Sequence, residues 1–104
     1  MPTSSQTLPV AFVAKIVAAP GHAEELGALL TGAVELANQE TGTVVWFAVR
    51  SDEHTFWIFD AFPDTAARDA HAGGEIVAAL GANSHLLGAP PEINAADVLA
   101  MKMP

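Results

Sequence analysis

Two aromatic, β-branched runs separated by a short polar stretch constrain this chain more than any other feature. Thr43 to Val49 (TVVWFAV) and Thr55 to Phe62 (TFWIFDAF) flank the loop Arg50-Ser51-Asp52-Glu53-His54. Valine, isoleucine and aromatic side chains fit a pleated surface, and so short a loop returns the chain beside itself. The runs therefore predict antiparallel neighbours, with Trp46 and Trp57 near the sheet centre. Alternation puts Phe56, Ile58, Asp60 and Phe62 on one face of the second run and Trp57, Phe59 and Ala61 on the other. A carboxylate, Asp60, is thus set among apolar neighbours.

The flanking segments complete a β-α-β-β-α-β order. Val10 to Ala18 alternates as a strand, with Phe12, Ala14 and Ile16 on one face. Pro20-Gly21 marks a turn, after which His22 to Glu40 carries Leu26, Leu29, Leu30, Ala33 and Ala37 on one helical stripe. Glu24 and Glu25 suit the positive end of that helix dipole, His22 reads as a capping or solvated residue, and Gly42 predicts a left-handed terminating residue. Beyond the third strand, Asp64 is a natural cap for Thr65 to Ala72, and Gly73-Gly74 interrupts the helix before Glu75 to Leu80. Residues 81–88 read as a loop. Pro90-Pro91 enforces an extended entry into a fourth strand from Ile93 to Lys102. Residues 1–9, polar with a proline near each end, read as a flexible arm before a single domain over 10–104. The expectation is an α+β, ferredoxin-like fold: a four-stranded antiparallel sheet with helices on one face.

Composition adds a partner and removes others. A chain of 104 residues that is 51% hydrophobic holds more apolar surface than a globule of its size hides, which predicts a homodimer covering the open sheet faces. Twelve Asp and Glu against four Lys and Arg give a net charge of -8, which repels phosphate backbones and anionic lipid. No nucleic acid and no membrane partner is expected. The longest apolar run, Val10 to Ala19, is broken by Lys15 and falls short of the roughly 20 residues that span a bilayer. With no secretion-type leader at the N-terminus, the expected location is the cytoplasm. The absence of cysteine removes thiolate catalysis, disulfides and iron–sulfur clusters. His22, His54, His71 and His85 show no metal-ligand spacing, no glycine-rich loop cradles phosphate, and no serine stands in a nucleophile elbow. Neither a metal nor a bound cofactor is expected.

Asp64, Arg68 and His71 fall three to four residues apart and share a helix face. Two readings stand side by side. The row is a solvated set of ion pairs with a structural histidine, or it lines a cleft in which His71 meets Asp60. In the second case the carboxylate orients the imidazole, which then exchanges protons near neutral pH.

The order and spacing of several short motifs resemble the antibiotic biosynthesis monooxygenase domain family, which includes quinol monooxygenase-like proteins. They are Ala19-Pro20-Gly21 after the first strand, Glu40-Thr41-Gly42-Thr43 before the second, Phe59-Asp60-Ala61-Phe62 followed nine residues later by His71, and the closing Pro91 to Met101 strand. The resemblance implies a dimeric α/β barrel. It also implies a cofactor-independent oxygenase that deprotonates a small hydroquinone- or anthrone-like substrate, whose anion then reduces dioxygen. His71 matches the family's helix histidine and is the implied proton acceptor. Asp60, matching the strand acid, is its orienter. Trp57, Phe59, Phe62, Trp46 and Arg68 are the candidates for the pocket lining, with plain core as the commoner role of such sheet aromatics. Phe62 stands where tryptophan is frequent and the chain has no tyrosine, which argues against an anthrone oxygenase relying on either. The haem-degrading branch would need tryptophan at His71 and a ligand histidine at Gly81. The same barrel also admits an isomerase or cyclase, or a non-catalytic homodimeric module that binds a small molecule.

Overall fold

The computed structural model describes residues 7–103. Its elements follow the expected order: β1 (Val10–Val17), α1 (Ala23–Asn38), β2 (Val45–Asp52), β3 (Thr55–Phe62), α2 (Thr65–Ala72), α3 (Glu75–Ala82) and β4 (Glu92–Asp97), with a short 3-10 turn at Ser84–Leu86. The sheet order is β2-β3-β1-β4 and each neighbouring pair is antiparallel, the ferredoxin-like arrangement. No described helix is long and apolar enough to cross a membrane.

The core follows from two periodicities. Leu26, Leu30, Ala33 and Ala37 recur every three to four residues along α1 and are buried. Ala14 and Ile16 of β1 and Phe56 and Ile58 of β3 alternate inward to meet Leu26, Leu30 and Leu80. Registered pairs such as Ala14 with Ile58 and Phe12 with Asp60 stand side by side on this helix-covered face. The opposite face of the sheet is bare of helices. There Phe47 stacks on Phe59 at 5.5 Å, Trp57 stacks on Phe59 at 6.5 Å, and the Lys15 ammonium lies 5.8 Å from the Trp57 ring. Phe47 and Val49 remain 49% and 40% exposed.

Four local expectations are revised. The flexible arm over residues 1–9 lies partly outside the described residues, but its end is tied down: Leu8 is buried, and the Pro9 carbonyl accepts from the Val98 amide at 2.9 Å. The fourth strand stops at Asp97, which pairs with Val10, the first residue of β1; past that pair the Val98 amide still donates to the Pro9 carbonyl, and the strand pairing goes no further among the described residues. Leu99, Met101 and Met103 are left exposed. Among the described residues only Gly21, at φ 81°, has the left-handed conformation expected of Gly42. Gly42 is required for space instead, since a Cβ there would stand 2.7 Å from the Ala67 Cβ, so that glycine lets α2 press against the turn leaving α1. Finally, Asp64, Arg68 and His71 do not form an ion-pair row. Asp64 caps α2 by accepting from the Ala67 amide at 2.8 Å, and the Arg68 guanidinium lies 5.6 Å from the Phe12 ring centroid.

The anchoring of the N-terminal segment has a measurable consequence. Leu8→Ala is expected to lower unfolding stability by about 2–5 kcal/mol, the usual cost of emptying a fully buried leucine site, read from the urea midpoint at unchanged slope.

Candidate active site

Three parts of the chain converge beneath α2. The Asp64 cap starts that helix so that, two turns later, His71 points at the sheet, and it is the one fully buried residue of α2. Alternation along β3 turns Asp60 to the same side. The turn after α1 contributes Glu40 and Thr43. His71 Nε2 lies 3.1 Å from Asp60 Oδ2, and His71 Nδ1 lies 2.5 Å from Glu40 Oε1. Asp60 and His71 are 4% and 5% exposed, while the Glu40 side chain, at 22%, reaches solvent.

The surroundings fix each acid in place. The Phe12 amide donates to Asp60 Oδ1 at 3.0 Å. The Thr43 hydroxyl donates to Glu40 Oε1 at 2.7 Å and stands 3.4 Å from His71 Nδ1. Gly74 leaves room for Glu40, because a Cβ there would come within 2.8 Å of its Oε2. The Phe62 ring packs at 5.3 Å and the Phe12 ring at 6.3 Å from the imidazole.

Burial by itself pushes His71 toward its neutral form. Hydrogen bonds to Asp60 and Glu40, together with their charges, outweigh it and raise the pKa above the ordinary histidine value of 6.5. The result is an imidazole with a carboxylate on each ring nitrogen, able to take up or release a proton as a unit with its partners.

A cavity of about 70 Å3 opens beside this cluster between the helix layer and the sheet. Asp60 and His71 form its polar corner, and Phe12, Ala14, Ile58, Ile76 and Leu80 form its apolar walls. Its rim is at Ala72 and Ile93, both exposed, and the helix-side residues of β4 beyond it, Ala95 and Asp97, are also uncovered. A larger groove of about 670 Å3 runs between α1 and β2. Its charged groups, Arg50 and Glu24, are paired with each other at 3.1 Å, whereas the smaller cavity carries the His71 cluster on its wall.

The expected lining residues separate. Phe62 touches His71, and Arg68 flanks the same region over Phe12. Trp57 and Phe59 point from the opposite face of the sheet and do not line the His71 cavity, because a strand cannot present consecutive residues on one side. Trp46 faces the helices but packs against the Ala33, Ala37 and Ile76 cluster and lines the α1–β2 groove. Glu40 and Thr43 were not assigned a role from the sequence. The signal that would have found them is a carboxylate and a hydroxyl spaced i, i+3 around Gly42, in a turn that must approach another element closely. Among the described residues no group of three or more His, Cys, Asp or Glu has a metal-binding arrangement.

The profile of the antibiotic biosynthesis monooxygenase family matches residues 9–82. Among solved structures, the NE2512 protein of unknown function from Nitrosomonas europaea is 42% identical, with a TM-score of 0.92 over 96% of this chain and 98% of its own. PA3566 from Pseudomonas aeruginosa is 30% identical, with a TM-score of 0.76 over 93% of this chain and 100% of its own. A solved antibiotic biosynthesis monooxygenase shares the fold at 18% identity, with a TM-score of 0.76 over 88% and 99% of the two chains. No curated protein matches the sequence.

The histidine makes stability depend on pH in a defined direction. Its folded pKa exceeds the unfolded value, so its contribution is fully present below about pH 6.5 and is lost as pH rises through the folded value. Urea midpoints are expected to fall between pH 6 and pH 9, and His71→Gln to flatten that slope.

Proposed function

The chain belongs to the antibiotic biosynthesis monooxygenase family, and from that membership we propose that it is a cofactor-independent monooxygenase acting with dioxygen on a small hydroquinone- or anthrone-like aromatic. The observation that carries this reading is the buried Asp60–His71–Glu40 cluster at the wall of an apolar cavity.

In its neutral form the His71 ring keeps its proton on Nδ1, where Glu40 accepts the hydrogen bond. That leaves the Nε2 lone pair as the proton acceptor. A C–H or O–H bond of the substrate breaks, its electron pair stays on the substrate, and an N–H bond forms at Nε2. Asp60 then accepts from the new Nε2–H and holds the imidazolium. The substrate anion gives one electron to dioxygen, and the substrate radical and superoxide combine into a C–O bond. The peroxide takes the proton back from Nε2. For an anthrone-type methylene, loss of water from the hydroperoxide gives a carbonyl, so one oxygen atom enters the product and the other leaves as water. The protein contributes proton transfer, orientation and exclusion of water, and the substrate supplies the electrons. Phe62 and Arg68 border the site from its flank, while Trp46, Trp57 and Phe59 serve the core and the outer sheet face.

The same reading takes the protein as a homodimer. The helix-free sheet face with Phe47, Val49, Trp57 and Phe59 is apolar, and the alternating Leu99, Met101 and Met103 extend exposed beyond β4, with no partner strand among the described residues. A second copy covers both with matching surface. In sedimentation at micromolar concentration a dimer is expected, and a monomer would contradict this.

Oxygen uptake against a panel of dihydroquinones and anthrones tests the activity. His71→Ala is expected to lower the rate roughly 10² to 10⁴-fold, the usual worth of a positioned base. In the parent, the rate is expected to rise with pH through a value above the ordinary histidine range, and in Asp60→Asn through a lower one. Uptake that survives both substitutions removes the assignment. Isomerisation without oxygen uptake would make the protein an isomerase or cyclase, and saturable binding without turnover a binding module.

A further inference from the structure

The cavity beside His71 is too small for the aromatic ring it would be expected to hold. At about 70 Å3 it has half the volume of the roughly 150 Å3 apolar cavity that admits benzene. We propose that this inner cavity is the dioxygen site, and that the aromatic substrate lies outside it, across the rim at Ala72 and Ile93 over the uncovered helix-side face of β4. The proposal deepens the oxygenase reading and rests on it for the identity of the guest in turnover.

Three features favour a small apolar guest. The volume holds a diatomic molecule without room for a ring. The walls, from Phe12 and Ala14 of β1, Ile58 of β3 and Ile76 and Leu80 of α3, offer carbon only, and such a cavity resists filling by water, which needs two to four polar partners. With the ring in its imidazolium form the polar corner does not supply those partners, because Asp60 accepts from the Phe12 amide and His71, and His71 donates to both Asp60 and Glu40. Dioxygen needs no hydrogen bond and partitions into such a space.

The corner also suits what dioxygen becomes. Once Nε2 has taken the substrate proton, His71 is a cation on the cavity wall. One electron moving from the substrate anion across the rim turns the neutral guest into superoxide, an anion facing that imidazolium in a low-dielectric space. Charge is conserved: the substrate anion becomes a radical, dioxygen becomes superoxide, and the proton stays on the ring until the peroxide forms. The groups facing His71 are Asp60 from β3 and Glu40 and Thr43 from the turn after α1, with Arg68 on its own helix.

Dioxygen is paramagnetic, so its residence is visible without turnover. Methyl relaxation under dioxygen pressure, compared with nitrogen, is expected to be enhanced at Ala14, Ile58, Ile76 and Leu80 well beyond the equally buried core methyls of Ile16 and Leu26. Ala14→Val, or Leu80→Phe from the opposite wall if the first does not fold, is expected to abolish the excess. The same variant should raise the KM for dioxygen about tenfold and leave the KM for the aromatic unchanged. Equal enhancement at cavity and core methyls overturns the site, whether or not turnover is found. An unchanged KM for dioxygen in a filled variant overturns it as well. Absence of turnover with every aromatic removes the oxygenase reading and with it dioxygen's role as co-substrate, a failure distinct from an empty cavity in the relaxation data.

Discussion

One imidazole held between two carboxylates organises the helix-covered half of this protein. His71 draws together α2, β3 and the turn after α1, elements that β2 and its hairpin loop separate in the chain. Hydrophobic packing cannot replace this contact without losing the reason for its shape. The Asp64 cap sets the helix phase that aims His71 inward, Gly42 admits α2 to within contact of the turn, and Gly74 leaves space for Glu40. A buried charged cluster is a poor source of stability, because desolvation offsets most of the attraction. Its value lies in a ring whose orientation and proton content are set before any ligand arrives.

The sheet divides the remaining work by alternation. Inward-facing residues of β1 and β3 build the core and, at Asp60, the reactive corner. Outward-facing residues build an aromatic strip from Phe47, Trp57 and Phe59. The polar corner and the aromatic strip therefore occupy opposite sides of the same strands, and a change on one face leaves the other in register. The small apolar cavity and the open floor along β4 divide the inner face again, into an enclosed space and an uncovered one.

Much of this was legible along the chain. The two aromatic runs implied the hairpin, and Asp60 stood out as an acid at an inward position of an apolar strand. Helical spacing put His71 on one face with Asp64 and Arg68, but whether that face met solvent or Asp60 stayed open. Alternation also separated Trp57 and Phe59 from Asp60, so their grouping with the pocket rested on their aromatic character rather than on strand geometry. Glu40 was invisible as a partner because it closes a helical stretch 31 residues before His71, and only the fold brings the two together. The length of β4 could not be read either, since a strand ends where its neighbour ends, and that neighbour is β1, 87 residues upstream in the pairing of Asp97 with Val10.

The sequence by itself determined the element order, the division of each strand into two faces, the helix break at Gly73-Gly74 and the acidic, cysteine-free chemistry available, because each follows from local periodicity, turn residues or composition. Only the tertiary structure decided that His71 has two acidic partners, that Gly42 serves close approach, and that the cavity has room for a diatomic molecule. Those depend on distances of a few tenths of an ångström between segments far apart in the chain, and local pattern carries no such distances.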